Sequence, residues 1–224
     1  MISYIWSLVA GSASTVIYIL VGRCYRSVTE TYWGQAMGDD LIHGRAVKNL
    51  LSPQSFWQVE YFKALGERLS HAPVNLSGYV LSVIIASFSF VQFQGTGIKF
   101  FGVMMLFLPI SFTLQFITNY IIGLTSIFPE DKRTFSRIWQ SYLSLTNILT
   151  GFYIPLDKMP FNWFFEYSPY AWMMHHPMQI YLGRYSDEKI VWVFIGGLSW
   201  ITVLYMFSSI IFKIAMKRNE SAGL

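Results

Sequence analysis

Residues 23–68 read RCYRSVTETYWGQAMGDDLIHGRAVKNLLSPQSFWQVEYFKALGER and form the one long polar segment of the chain. This segment holds 6 of the 16 basic residues and 5 of the 12 acidic residues. The sequence on either side of it is uncharged over lengths that could cross a bilayer. The segment is therefore the part of the chain that can contact a soluble partner.

Composition places the remainder of the chain in a membrane. Hydrophobic residues make up 54% of the sequence and charged residues 12%, whereas about 25% of a soluble domain is charged. A membrane-crossing helix needs about 20 apolar residues. The uncharged runs predict an all-α, polytopic integral membrane protein with five transmembrane helices, at about 1–22, 76–94, 100–128, 138–154 and 190–212.

Three features of the sequence argue against a secretory signal, a disulfide-stabilised fold and a nucleic-acid-binding protein. The first apolar run has no basic residue before it and no small-residue cleavage site after it, so it predicts a span and not a secretory signal. One cysteine, Cys24, excludes an internal disulfide framework. The net charge of +4 reflects the placement of basic residues in cytosolic loops, and no nucleic-acid partner is expected.

The basic residues predict the orientation of the spans. If residues 23–68 are cytosolic and the spans alternate, twelve of the 16 basic residues lie inside and the other four, Lys99, Lys158, Arg184 and Lys189, lie outside. Positive residues concentrate on the cytosolic side of membrane proteins. This orientation leaves Met1 outside, which suggests that a preceding span is missing.

Within the polar segment, residues 39–51 predict a short amphipathic helix. Asp39 and Asp40 suit the positive N-terminal end of a helix, and Pro53 ends it. A second helical pattern runs over residues 54–69, so that residues 23–68 form a cytosolic elbow. The alternative is a pair of helices that lie among lipid headgroups without a partner.

Polar residues inside the predicted spans are few. Pro109 predicts a kink in the third span, where Gln115 and Asn119 share one face, and Asn147 is the polar residue inside the fourth. Polar side chains at this depth face either other helices or a water-filled path. Both roles stay open, namely hydrogen bonds that hold the bundle together and a stripe that faces a substrate.

The stretch 155–189 is too aromatic for a solvated loop, and prolines divide it into pieces too short to span. It predicts short external helices at the membrane interface, over about residues 159–183, with a belt of tryptophans and tyrosines. The adjacent pair His175–His176 does not predict a metal site, because no Cys or carboxylate completes a ligand set. No cofactor is expected.

The absence of certain residue types and motifs from the sequence excludes several classes of function. No Asp, Glu, Lys or Arg lies inside a predicted span, which disfavours transport coupled to protons or ions. The sequence has no phosphate-binding loop and no nucleophile with a base partner, so no enzymatic activity is expected. A transporter of this kind must take its energy from another subunit.

Two stretches resemble the ABC-2-type transporter permeases. The first is DDLIHGRAVKNLLSP (39–53), which is similar to the family's cytosolic motif. The second is NILTGFYIPLDKMPFNWFFEYSPYAWMMHHPMQIYLG (147–183), where Gly151, Pro155, Pro160, Pro169 and Gly183 match its spaced glycines and prolines. The nearest variety is the six-span subfamily long described as a domain of unknown function. MISYIW, at the start, resembles the beginning of that subfamily's second span, so the first span is expected to be absent.

The resemblance implies a multi-pass permease in the cell (inner or plasma) membrane, most often an exporter. Its implied partners are a cytosolic ABC ATPase, a second permease in a homo- or heterodimer, and membrane lipid. The residues expected to contact the ATPase are Asp39, Asp40, Leu41, Ile42, His43, Gly44, Arg45, Lys48, Leu50, Leu51 and Pro53. Gln115, Asn119 and Asn147 are the candidates for the translocation path.

Two other functions remain open at this stage. The chain could be an accessory scaffold that anchors a cytosolic partner without transporting anything. It could also be a membrane-embedded transferase, which would need a catalytic residue among His71, His175 and His176. The sequence does not specify a substrate.

Overall fold

The computed structural model describes residues 13–46, 49, 53–89, 97–129 and 132–221. Every regular element among these residues is helical. The α-helices are α1 (Ala13–Thr29), α2 (Trp33–Ile42), α3 (Phe56–Ser89), α4 (Gly97–Leu106), α5 (Leu108–Leu124), α6 (Lys132–Leu149), α7 (Asn162–Glu166), α8 (His175–Tyr181) and α9 (Asp187–Ser221). Short 3-10 helices cover Thr125–Ile127, Leu156–Lys158 and Pro169–Met173. The expectation of an all-α fold is confirmed.

Helix α5 lies at the centre of the fold. Most of its side chains are buried, and it packs against α2 and α9 while α1 packs against α3. Small residues allow the closest approach, between α2 and α5. A Cβ on Gly34 would overlap the carbonyl oxygen of Asn119, and a Cβ on Gly123 would lie 2.7 Å from the carbonyl oxygen of Gly34. The backbones of α2 and α5 are therefore nearly in contact.

Helix α3 corrects the sequence prediction of two separate helices. The patterns predicted over 54–69 and 76–94 belong, as far as Ser89, to one helix of 34 residues with Pro73 in its interior. A proline inside a helix leaves the carbonyl four residues earlier, here that of Leu69, without its partner. Leu69 and Pro73 are both exposed, so solvent or lipid headgroups can satisfy that carbonyl.

The kink predicted at Pro109 is confirmed. Helix α4 ends at Leu106 and α5 begins at Leu108, with the proline in the first turn of α5, where its missing N–H costs nothing. Trp172 packs beside this break, and a Cβ on Gly196 or Gly197 would lie 2.7 Å or 2.8 Å from Trp172 or Ile110. Gly196 and Gly197 therefore allow α9 to pack closely against Trp172 and α5.

Helix α6 ends earlier than the sequence suggested. The predicted end was Pro155, but the helix stops at Leu149 and Gly151 takes a left-handed φ of +79°. The amide of Phe152 donates to the carbonyl of Asn147, and that of Gly151 donates to Ile148. This pair of bonds is the Schellman arrangement that closes a helix on a glycine.

Two helices among the described residues are long and apolar enough to cross a membrane. The first is the helical stretch Gly102–Ile127, which includes the end of α4, all of α5 and the 3-10 helix after it, with mean hydropathy 1.5. The second is Asp187–Arg218 within α9, with mean hydropathy 2.0. They coincide with the predicted spans 100–128 and 190–212. Residues 1–12 and 90–94, which belong to the predicted spans 1–22 and 76–94, lie outside the described residues.

The stretch after α6 forms the short helical pieces that its prolines predict. Residues 171–182 are buried throughout, because they pack between α1, α4 and α5. The expected surface belt of aromatics is therefore wrong for Trp172, Tyr181 and Tyr185, which are buried, whereas Trp163 and Tyr167 are exposed. The stretch is rich in aromatic residues because many of them belong to the core.

Candidate functional site

The predicted elbow contains a helix in a different register from the expected one. Helix α2 begins at Trp33 and ends at Ile42, so Asp39 and Asp40 lie in its last turn and not in its first. Gly34, Met37 and Gly38 are buried on one face of α2, and this packing sets the position of the helix. The predicted contact residues Lys48, Leu50 and Leu51 lie outside the described residues.

The chain turns sharply after α2. The amide of Gly44 donates to the carbonyl of Leu41, and Gly44 has a φ of +71°, a conformation that glycine adopts without strain. His43 and Arg45 are exposed on this turn, and Pro53 is exposed in the bend before α3. Residues 39–45, which we call the coupling turn, therefore present polar side chains to the surroundings.

Carboxylates at the C-terminal end of a helix face its negative pole, which is unfavourable. Two cations offset this effect. Nε of Arg45 lies 2.7 Å from Oδ1 of Asp40, and Nζ of Lys132 lies 3.3 Å from Oδ2 of Asp39. Arg45 and Lys132 remain more than half exposed. The coupling turn is thus a surface of mixed charge that a partner protein could contact.

Leu41 and Ile42 face the interior of the fold more than the surface. Leu41 packs against the cluster around Phe56 and Phe116, and Ile42 packs against the cluster of Phe135 and Trp139. Both side chains are partly buried. They attach the coupling turn to α5 and α6, and their expected contact with an ATPase stays a prediction.

Glu60, on α3, is the residue of this site that sequence reasoning missed. Its side chain is 3% exposed and accepts hydrogen bonds from Nε1 of Trp33 at 2.7 Å, from Nδ2 of Asn49 at 2.9 Å and from Nζ of Lys63 at 3.1 Å. One carboxylate therefore joins α2, the residues after the coupling turn and α3. The available signal was a glutamate among large apolar residues, in WQVEYF, with a lysine three residues later.

An open groove of about 360 Å³ lies between α2 and α3, beside the coupling turn. Its walls are aromatic and acidic, and its lining residues are Tyr32, Trp33, Gln35, Ala36, Asp39 and Glu67. Aromatic faces and carboxylates together favour basic groups. The groove could therefore receive a basic side chain from a partner.

The residues predicted to line a translocation path occupy different surroundings. Gln115 and Asn119 are buried on α5, and Nδ2 of Asn119 donates a hydrogen bond to the carbonyl oxygen of Thr31. Nδ2 of Asn147, on α6, lies 3.4 Å from the hydroxyl of Tyr153. The bond of Asn119 favours the role of holding helices together, and a role in a path stays a prediction for all three residues.

Arg26 lies in the interior of the fold, although it follows an apolar run closely in the sequence. It is 3% exposed, and its guanidinium lies 2.8 Å from Oε1 of Glu30 and 3.3 Å from the hydroxyl of Thr150. The ring of Phe152 covers it, with the centroid 4.7 Å away. The carboxylate of Glu30 forms an ion pair with the buried guanidinium, and the hydroxyl of Thr150 accepts a hydrogen bond from it. These two partners offset the cost of burying the charge.

A comparison with protein families identifies the chain. The model of a family described as ABC-2 family transporter protein matches residues 43–223. The chain belongs to the ABC-2 transporter family. Membership makes it the membrane component of an ABC transporter and implies an ATP-binding partner. No curated protein and no solved structure matches the chain.

The ABC-2 match confirms the resemblance seen in the two sequence stretches. It includes all of the second stretch, residues 147–183, and it begins at His43 within the first. The part of the coupling turn that it covers is therefore His43, Gly44 and Arg45, whereas Asp39–Ile42 precede the matched region.

Proposed function

We propose that this chain is a membrane-spanning permease subunit of an ABC-2-type exporter in the cell membrane. It would form the translocation path with a second permease, in a homo- or heterodimer. ATP hydrolysis would take place in a separate cytosolic subunit. The observation that carries this proposal is the exposed, charged coupling turn, which is fixed to the helical bundle on three sides within a chain of the ABC-2 family.

The proposal includes five spans with residues 23–68 on the cytosolic side. The surface of α9 supports a lipid environment. The most apolar 18 residues of this helix have a mean hydropathy of 2.0, yet only 11% of them are buried. A soluble protein rarely exposes so large an apolar surface. The distribution of basic residues supports the orientation, with Lys132, Arg133, Arg137 and the C-terminal basic residues on the same side as the coupling turn.

Transmission of force requires a rigid connection between the coupling turn and the bundle. Helix α2 supplies one connection, through its close contact with α5 at Gly34 and Gly123. Glu60 supplies another, through its bonds to Trp33 on α2 and Asn49 after the turn. A displacement of the turn by an ATPase would therefore move α5 and α3 together.

The polar character of the turn supports contact with a protein. Asp39, Asp40 and Arg45 form pairs within the chain, yet each keeps a part of its side chain exposed. Charged groups at the rim of an interface govern the choice and orientation of a partner more than its affinity. The adjoining aromatic and acidic groove would receive a basic residue of the ATPase.

The experiment is a search of the neighbouring genes for an ABC ATPase and a sister permease, followed by reconstitution of this chain with the proteins found. We expect the ATPase to co-purify with the permease and its hydrolysis rate to change when the permease is present. A scaffold without transport activity would bind the ATPase and leave hydrolysis unchanged, which would contradict the proposal. Replacement of His71, His175 and His176 together tests the transferase alternative, and we expect transport to persist.

A further inference from the structure

A second groove lies at the other end of the molecule, between α9 and the 3-10 helix Pro169–Met173. Two neighbouring cavities, of about 210 Å³ and 560 Å³, share Tyr167, Trp172 and Trp192 in their walls. They therefore form one continuous groove, which we call the outer groove. The indole of Trp172 forms a wall against Gly196, where a Cβ would lie 2.7 Å from its ring.

The upper end of the outer groove carries opposite charges. Glu166 and Lys189 both line the smaller cavity, next to His176. His176 is held in place because its Nε2 lies 3.0 Å from the carbonyl oxygen of Glu166 and its Nδ1 lies 2.8 Å from the hydroxyl of Tyr185. The ammonium group of Lys189 lies 4.0 Å from the centroid of the Tyr185 ring.

The carboxylate of Glu166, at the upper end of the outer groove, forms no ion pair with a Lys or Arg of the described residues. Its Oε1 lies 3.9 Å from Nε2 of His175, but burial lowers the pKa of His175 to about 3, so that this contact is not an ion pair at neutral pH. Among the described residues, no Lys or Arg lies within ion-pair distance of Glu166. The carboxylate can therefore pair with a cationic group from outside the chain.

The lower part of the outer groove is apolar and runs along α9. It is lined by Gly196, Ser199, Trp200 and Val203 in addition to the shared aromatics. Val203 follows Trp192 by eleven residues, which is about 16 Å along a helix with a rise of 1.5 Å per residue. The hydrocarbon of one leaflet is about 15 Å deep, half of a core of about 30 Å.

We infer that the outer groove binds one zwitterionic phospholipid of the outer leaflet. Its ammonium group would lie against Glu166 and the aromatic side chains of Tyr167 and Trp192, and its phosphate against Lys189. One acyl chain would follow the groove to Val203. This inference rests on the membrane orientation in the proposed function.

The charges select the class of lipid. Glu166 repels a headgroup that carries only negative charge, and Lys189 repels an amphiphile that carries only positive charge. A headgroup with both an ammonium group and a phosphate satisfies both residues. Aromatic side chains beside a carboxylate are a common binding environment for substituted ammonium groups.

The test uses the full chain in phosphatidylcholine nanodiscs that contain a trace of phosphatidylcholine with a photoreactive acyl chain. After irradiation, mass spectrometry locates the label. We expect it on residues 192–203, reduced roughly fivefold in Glu166→Gln or Lys189→Gln. The matched controls Glu188→Gln and Lys158→Gln remove exposed charges outside the groove and should leave labelling unchanged. Ser199→Trp should block the groove and abolish the label there.

Several outcomes would overturn the inference. Equal labelling of all variants, labelling spread evenly over the exposed face of α9, or stronger labelling by a phosphatidylglycerol probe would each exclude a zwitterionic site. A disulfide between two Ser199→Cys chains in a Cys24→Ser background would show that a second copy covers the groove. Resistance to alkaline extraction separates the two proposals: an extracted chain contradicts the membrane assignment, whereas an inserted but unlabelled chain contradicts the lipid site alone.

Discussion

The indole Nε1 of Trp33 donates a 2.7 Å hydrogen bond to Oε2 of Glu60, which ties the start of α2 to α3. The other oxygen of Glu60 accepts from Nδ2 of Asn49 and from Nζ of Lys63. A buried carboxylate with partners on both oxygens holds its neighbours in a fixed arrangement. One of the connections between the coupling turn and the helical bundle therefore passes through this residue.

Glu60→Ala should lower the free energy of unfolding by about 1–3 kcal/mol, since it leaves the partly buried donors of Trp33 and Asn49 without an acceptor. Thermal unfolding of the purified chain in detergent measures the change. Glu67→Ala is the matched control because it removes an exposed carboxylate from the same helix, and its effect should stay within about 0.5 kcal/mol. Equal losses in the two variants would contradict the role assigned to Glu60.

Gly34→Ala should destabilise the fold by about 1–3 kcal/mol, because the added methyl group meets the backbone of α5 and forces the helices apart. Gly66→Ala is the control. A Cβ at Gly66 meets nothing within 4 Å, and alanine in a helix is favoured over glycine by about 1 kcal/mol. The two substitutions should therefore shift the unfolding temperature in opposite directions, and shifts of the same sign would show that α2 and α5 are not in close contact.

Arg26→Leu should cost about 3 kcal/mol of stability, because it leaves Glu30 partly buried without its partner. The double variant Arg26→Leu with Glu30→Leu should recover part of this loss, since it removes both charges. Arg137→Leu changes an exposed arginine and should have little effect. Additive losses from the two single substitutions would exclude coupling between Arg26 and Glu30.

Stability should fall at acidic pH because of His175 and His176. Burial lowers the pKa of each histidine to about 3, whereas the pKa in the unfolded chain is about 6.5. Below pH 6.5 the unfolded chain binds protons that the native chain does not, so the native state loses stability as the pH falls from about 6.5 towards about 3. At pH 5 the loss is about 2 kcal/mol for each histidine.

Unfolding temperatures at pH 7.5 and pH 5 measure this effect. His176→Gln should reduce the difference between the two temperatures, whereas His71→Gln, which changes an exposed histidine, should leave it unchanged. The same pH dependence in both variants would mean that His176 is not buried in the neutral form.

The structural features that depend on local composition could be predicted from the sequence. Apolar runs predicted helices, and Pro109 predicted the break between α4 and α5. The proline acts on its own segment, because it lacks an amide hydrogen. The family resemblance also rested on local patterns of glycine and proline.

Features that depend on distant partners could not be predicted. Asp39 and Asp40 suggested the start of a helix, but they lie at its end because the packing of Gly34, Met37 and Gly38 sets the position of α2. Lys132, 93 residues later in the chain, then supplies a compensating charge to Asp39. The burial of Arg26 depends on Thr150, 124 residues away. The sequence predicted a helical pattern over 54–69 and a separate span over 76–94, but α3 continues through Pro73, where the side chains of Leu69 and Pro73 are exposed.

In the proposed function, the coupling turn transmits force from an ATPase to the helical bundle. Charge reversal by Asp40→Arg or Arg45→Asp tests this claim, and the double variant with both changes restores the internal pair with its charges exchanged. Exposed pairs contribute at most about 1 kcal/mol to stability, so all three variants should fold. Lys158→Glu is the control, because it reverses an exposed charge on the predicted external side.

The decisive measurement is substrate transport per ATP hydrolysed in the reconstituted complex. We predict that both single variants and the double variant lower this ratio by about tenfold, because the ATPase would contact each charge in its native position. The control Lys158→Glu should leave the ratio unchanged. A normal ratio in the single variants, or its full recovery in the double variant, would contradict a contact between the coupling turn and the ATPase.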